Sequence, residues 1–172
     1  PDDSPLTLAA AEALTNQETC FFRDAAQLKA AVRGLIPALA AAAPRGEPLR
    51  ILSAGCATGE EAYSLTMLLL DELHLLWGRP VAVWGVDLSA SAIERARAGR
   101  YRAGAISRAG EGPAGWESRF FRREDETLVA RELLRERTFF VRANLLEPAS
   151  LAPFGPFDLV LCHAVLEWLA EP

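Results

Sequence analysis

The stretch from Leu49 to Leu76, LRILSAGCATGEEAYSLTMLLLDELHLL, constrains the fold more than any other. An apolar run over 49–54 is too short for a helix and reads as a buried strand. It ends in a turn with two glycines, Gly55 and Gly59, and passes directly into an apolar helical stretch over 60–76. Glu60 and Glu61 fall in the first helical turn, where carboxylates suit the positive end of the helix dipole. A strand, a glycine turn and a helix in immediate succession open a parallel α/β unit.

The rest of the chain continues that pattern. Residues 81–87 (VAVWGVD), 138–143 (TFFVRA) and 157–162 (FDLVLC) are the next strands. Residues 89–98 form a helix capped by Ser89 or Ser91 and closed by Gly99. Upstream, 24–43 is expected to be a helix with Leu28, Val32, Leu35 and Leu39 on its apolar face and a kink at Pro37. Residues 5–14 read as the end of a preceding helical segment, so the division is 1–14 and 15–172. The Gly- and Ala-rich 103–118 is a loop or helical stretch, and 122–137 a charged surface region of weak strand or helix. The expected fold class is α/β, a doubly wound parallel sheet.

Composition excludes several classes. With 172 residues, 51% hydrophobic and 24% charged, the chain is globular and not disordered. No apolar run reaches the ~18 residues of a membrane span, and no signal peptide is evident. A net charge of −5 argues against nucleic acid as a partner. Cys20, Cys56 and Cys162 contain no CxxC pair, and only His74 and His163 could support them, so no zinc site or disulfide framework is expected. A reduced, cytoplasmic setting fits. The start at Pro1 and the stop at Pro172 after an apolar segment suggest a piece of a longer protein.

Ligands of parallel sheets bind beyond the carboxyl ends of the strands. There the sequence places Gly55 to Glu61, Asp87, Asn144 and His163. Where a dinucleotide fingerprint needs a third glycine stand Glu60 and Glu61, which repel a pyrophosphate and suit a cation. This charge argument favours S-adenosylmethionine, with its ammonium and sulfonium, over NAD. A tight turn with nothing bound is the plainer alternative. Asp87 could accept ribose hydroxyls or cap the following helix. Asn144 could read an adenine edge or make a turn, and His163 could take a proton from an acceptor or be a polar strand terminus.

Thr19-Cys20-Phe21-Phe22-Arg23, Ser53 to Tyr63 (SAGCATGEEAY), Asp87-Leu88-Ser89, Ala98-Gly99-Arg100-Tyr101 and Asn144-Leu145-Leu146 occur in one order and spacing. Together they resemble the CheR-type chemotaxis-receptor methyltransferases, which methylate receptor glutamates using S-adenosylmethionine and release S-adenosylhomocysteine. The resemblance implies a Rossmann-like class I methyltransferase sheet, here cut after its fourth strand. It places Arg23 near the transferred methyl and Thr19 against the cofactor. Gln17 aligns with a cofactor-contacting asparagine, while Asn16 sits one position earlier. Gly55 and Glu61 would face the cofactor, Asp87 its ribose, and Asn144 and Leu145 its adenosine.

The family's Cys-Arg-Asn-Val becomes Cys162-His163-Ala164-Val165, leaving Ala164 and Val165 at the remaining contact positions, and Trp168 replaces a tyrosine. The segment 163–172 looks more like the matching part of tRNA wobble-uridine methyltransferases. The partner implied is a chemoreceptor-like glutamate; rivals are another acceptor such as tRNA, or a cofactor-binding regulatory module without turnover. The fourth strand is expected beside the first, buried on both faces, with the remaining strands supplied by a longer chain, a partner or a swapped copy.

Overall fold

The computed structural model describes residues 18–42, 44, 46–104, 111–163 and 165. The expected helix over 5–14, Gln17, Ala164 and most of 163–172 lie outside the described residues.

The chain forms α1 (Ala25–Ala42), β1 (Leu49–Ala54), α2 (Glu60–Asp71), a 3-10 turn (Leu73–Leu76), β2 (Val81–Asp87), α3 (Ala90–Ala98), β3 (Arg100–Arg102), α4 (Trp116–Phe120), β4 (Phe121–Glu124), β5 (Thr127–Ala130), α5 (Glu132–Arg135), β6 (Thr138–Arg142), α6 (Pro148–Leu151) and β7 (Leu159–Cys162). Four strands make a parallel sheet in the order β6-β2-β1-β7. The order runs outward from β1 in one direction and then reverses to β7, so the topological switch lies between β1 and β7. The expected pairing of the fourth strand with the first is present, Leu52 facing Val160 and Ala54 facing Cys162.

Two expectations need correction. FDLVLC is not buried on both faces: Val160 is 53% exposed and its neighbours in β7 are only partly covered. The region 122–137 does form short strands and a short helix with its charges outward, as expected, but it is not confined to the surface. β4 and β5 form a hairpin that pairs with β3 in a second, antiparallel sheet of order β3-β5-β4. Its arginines and glutamates point outward, while Phe121, Leu128 and Ala130 enter the main core.

Helix α2 is apolar nearly all round because it is covered on all sides. Ala62 to Leu70 are buried between β1, β2 and β6, helix α1 and the small sheet. The helix ends earlier than expected, at Asp71, where Glu72 leaves the helical conformation. On α1 the buried stripe runs Leu28, Val32, Ile36, Ala40; Leu35, expected inside, is 49% exposed. Pro37 lies within that helix.

Phe21 and Phe22 join α1 to the small sheet. Phe21 meets Tyr101 at 4.9 Å and Phe121 at 5.3 Å between ring centroids, both edge-on, and Phe22 meets Trp116 at 5.0 Å. Such edge-to-face pairs add about 0.5–1.5 kcal/mol each to the burial of the rings.

Candidate active site

Parallel register brings the strand ends to one level. Ala54 stands beside Val86 and Cys162, and Asp87 beside Arg142. The turns that follow β1, β2, β6 and β7 therefore leave the sheet on the same edge.

The glycine turn is held from within. The N–H groups of Gly55 and Cys56 donate to the Val86 carbonyl at 2.8 and 3.0 Å, and that of Gly59 to Cys56 at 2.9 Å. Ala57 N–H donates to Asp87 Oδ2 at 2.9 Å, and the Tyr101 hydroxyl donates to the Thr58 carbonyl at 2.8 Å. These amides are committed to protein acceptors and cannot cradle a phosphate, as they would in a dinucleotide turn. Gly59 adopts φ +92°, and a Cβ there would stand 2.8 Å from Ala96 Cβ and 2.9 Å from the Phe140 ring. At Gly55, φ +69°, a Cβ would meet Val165 Cγ2 at 2.3 Å. The close approach that Gly55 permits is thus made by Val165.

Asp87 links two turns. Its Oδ1 accepts the Ser89 N–H at 2.9 Å and its Oδ2 the Ala57 N–H. Ser89 caps α3, its hydroxyl accepting from Ala92 N–H at 3.1 Å. Asp87 is therefore not the side-chain cap of that helix. Each carboxylate oxygen takes one backbone donor, and a carboxylate has about four acceptor sites, so capacity for hydroxyl donors remains.

The two glutamates separate. Glu60 turns inward, 7% exposed, accepting from the Thr58 hydroxyl at 2.6 Å; burial pushes its carboxyl above the usual range. Glu61 lies partly open. Its Oε1 accepts the Ser53 hydroxyl at 2.6 Å and its Oε2 lies 2.6 Å from His163 Nδ1. His163 Nε2 is 3.2 Å from Gln27 Oε1. The hydrogen bond to Glu61 holds the His163 imidazole above its ordinary range, against the effect of its partial burial. Burial, then the nearby Asp87 and Glu61 carboxylates, push the Cys56 thiol up.

Arg23 is exposed on the turn before α1, with Nη1 donating to the Glu18 carbonyl at 2.8 Å. Its neighbours Phe22 and Asp24 have left-handed backbone, φ 53° and 50°, uncommon for a bulky aromatic and carrying on the order of 1–3 kcal/mol of strain. Complete burial of Phe22 and donation of its N–H to Ser64 Oγ at 2.9 Å hold that turn. Thr19 is half-buried just before it.

Asn144 makes a turn: its Oδ1 accepts the Leu146 N–H at 3.0 Å. Leu145 lies with Leu52, Ala54, Leu151, Phe157 and Cys162 along an apolar groove of about 590 Å³. Gly55, Glu61, His163 and Val165 thus gather at the ends of β1 and β7, and Asp87 joins them through the glycine turn. Ser53 and Gln27 were missed by sequence reading. Ser53 opens the SAGCATGEEAY segment but was given no role of its own, and Gln27 carries no motif signal.

The residues present fit S-adenosylmethionine. Two carboxylates, and a turn whose Gly55, Cys56, Ala57 and Gly59 amides already have protein acceptors, suit a cationic amino-acid end and ribose hydroxyls better than a diphosphate.

Comparison with known proteins gives the same answer. The family described as CheR methyltransferase, SAM binding domain, matches residues 17–172. A chemotaxis protein methyltransferase of Vibrio anguillarum is 32% identical over 94% of this chain and 57% of its own length. The probable biofilm formation methyltransferase WspC of Pseudomonas aeruginosa is 37% identical over 94% of this chain and 37% of its own length. An uncharacterized 104.1 kDa protein of Rhodobacter capsulatus is 36% identical over 86% of this chain and 15% of its own length. The chain thus spans about half the length, or less, of these curated relatives. With the doubly wound sheet and a family match over nearly all its residues, the chain belongs to the CheR methyltransferases and carries their S-adenosylmethionine-binding domain.

Proposed function

We propose that this protein transfers a methyl group from S-adenosylmethionine to glutamate carboxylates of a chemotaxis receptor, in a cytoplasmic setting. The observation that carries the reading is the pair of carboxylates at the strand ends. Asp87 keeps acceptor capacity beside a glycine turn whose named amides are already used, and Glu61 stands partly open beside it. The family match over residues 17–172 supports it.

Bound S-adenosylmethionine would supply an electrophilic methyl on a sulfonium. Asp87 would accept the ribose hydroxyls, and Glu61 would face the ammonium. Thr19, Gln17, Gly55, Asn144, Leu145, Ala164 and Val165 would complete the contacts. Arg23, tied by one nitrogen to Glu18, keeps further guanidinium donors to orient an incoming carboxylate. A glutamate acceptor is already ionised near neutral pH, so alignment is the protein's main contribution, worth roughly 7–11 kcal/mol in well-oriented reactions.

Calorimetry of the full chain with S-adenosylhomocysteine is expected to show micromolar binding that Asp87→Ala abolishes. Labelled methyl from S-adenosylmethionine is expected in receptor glutamates and not in tRNA. No binding would sink the enzyme reading. Binding without incorporation would select a regulatory module, and label in tRNA the other acceptor.

A further inference from the structure

Four side chains from four separate parts of the fold make one line of hydrogen bonds. Ser53 at the end of β1 donates to Glu61 on α2, Glu61 meets His163 after β7, and His163 meets Gln27 on α1. The His163 ring lies between two oxygens, Glu61 Oε2 and Gln27 Oε1. The 2.6 Å contact with the Glu61 carboxylate is the geometry of an ion pair with a protonated ring, while the Gln27 amide can pair with the other nitrogen through its oxygen or its N–H₂.

The charged groups around the ring favour that form on balance. Glu61 bonds it directly, and Asp24 adds negative charge from the turn before α1. Arg23, on the same turn, opposes them. Gln27 and Ser53 bring no charge. Cys162, adjacent on β7, has its thiol pushed up by burial and by Glu61, and so stays neutral.

The Glu61 side chain is 16% exposed and that of His163 27%. A cation arriving at Glu61 therefore meets a carboxylate that already has a cation, in a setting poorly screened by water. Like charges sharing one partner disfavour each other. We infer that His163 is a resident counter-ion of Glu61 that the ammonium of the cofactor's amino-acid end must share or displace, so that cofactor binding expels a proton from His163 and tightens as pH rises. This rests on the reading above that Glu61 faces that ammonium. His163 is on this view a positioning residue that tunes affinity.

The sign follows from linkage. Binding lowers the affinity of His163 for its proton, so between the bound-state and free-state titration points each complex formed releases a proton. In that window affinity rises by up to about tenfold per pH unit, and it is flat outside it.

The test uses the full chain and S-adenosylhomocysteine between about pH 5.5 and 7.5, where the ligand's own ammonium stays charged. Calorimetry in two buffers of different ionisation heat counts the protons. The expected results are proton release, affinity rising with pH, and loss of both in His163→Gln. Imidazole NMR of His163 should show its titration moving to lower pH on saturation with the ligand. The control probe is 5′-methylthioadenosine, which keeps the nucleoside and thioether but has no ammonium; its binding should not depend on pH. Affinity of S-adenosylhomocysteine that is independent of pH, proton uptake, or an equal slope in His163→Gln or with the control probe would overturn the inference while leaving the proposed function standing. Failure of both probes to bind at any pH would refute the proposed function, and this inference with it.

Discussion

Replacing Asp87 by alanine should destabilise the protein even when no ligand is present. The carboxylate accepts the N–H groups of Ala57 and Ser89, each at 2.9 Å, and so ties the glycine turn to the start of α3. Ser89 is fully buried and Ala57 is 7% exposed. A buried donor left without a partner costs about 1–3 kcal/mol, giving about 2–6 kcal/mol for two. Asp87 itself is partly open, so water can enter the vacated space and replace part of the loss. The lower end is therefore expected, about 2–3 kcal/mol. With a urea slope of about 2 kcal/mol per M, the unfolding midpoint should fall by about 1–1.5 M with the slope unchanged. Urea titration of the ligand-free chain by circular dichroism measures this. Asp87→Asn keeps one acceptor oxygen but presents an amide N–H₂ to the second donor, so it should lie between the two. A midpoint for Asp87→Ala within about 0.2 M of the parent would refute the structural role and leave Asp87 only a ligand to serve.

Three further predictions concern other parts of the molecule. Gly59→Ala combines a left-handed backbone with contacts of 2.8 and 2.9 Å to Ala96 and Phe140 and should lose about 2–5 kcal/mol by urea unfolding. Gly78→Ala, with φ +76° and nothing within 4 Å, should lose only about 1–2 kcal/mol; equal losses would refute the packing argument. A thiol reagent at about pH 8 should modify Cys20 and Cys162 in the folded protein and Cys56 only on unfolding, since Cys56 is 2% exposed and burial raises its pKa well above the usual thiol range. The His163–Glu61 pair should stabilise the fold in acid. The folded-state pKa of His163 is raised, so its contribution is complete below the unfolded value of about 6.5 and fades as pH rises through the folded one. The urea-midpoint gap between parent and His163→Gln should therefore shrink from pH 6 to pH 9, and a gap that grows would show the sign to be wrong.

What the residues reveal directly depends on how local the signal is. β1 and β2 were legible to the residue because a buried parallel strand is an apolar run bounded by turn signals. The small sheet was not. In β4 only Phe121 faces the core, while Arg122 and Arg123 are exposed, and the inward positions of β5 alternate with outward ones over only four residues. A period of two over so short a span, written in charges, is hard to separate from a solvated surface. The end of α2 was hidden for a similar reason. Apolar residues continue through Leu76, yet the α-helix stops at Glu72 and Leu73–Leu76 form a 3-10 turn that the left-handed Trp77 and Gly78 end. In the site, Asp87 and Glu61 were found by position relative to the strands. The bond between Glu61 and His163 spans 102 positions, and no local pattern announces it.

The strand order has a consequence for how the chain comes into being. β1 lies inside the sheet, yet among the described strands it is the first to be made, and its second edge waits for β7, the last. On a ribosome, the apolar edge of Leu49–Ala54 therefore stays open while more than a hundred residues emerge, the kind of exposed strand edge on which chains associate wrongly. Glu61 waits equally long for His163. The cofactor end of the protein is thus also its closing seam: it takes final shape only when synthesis has passed the fourth parallel strand.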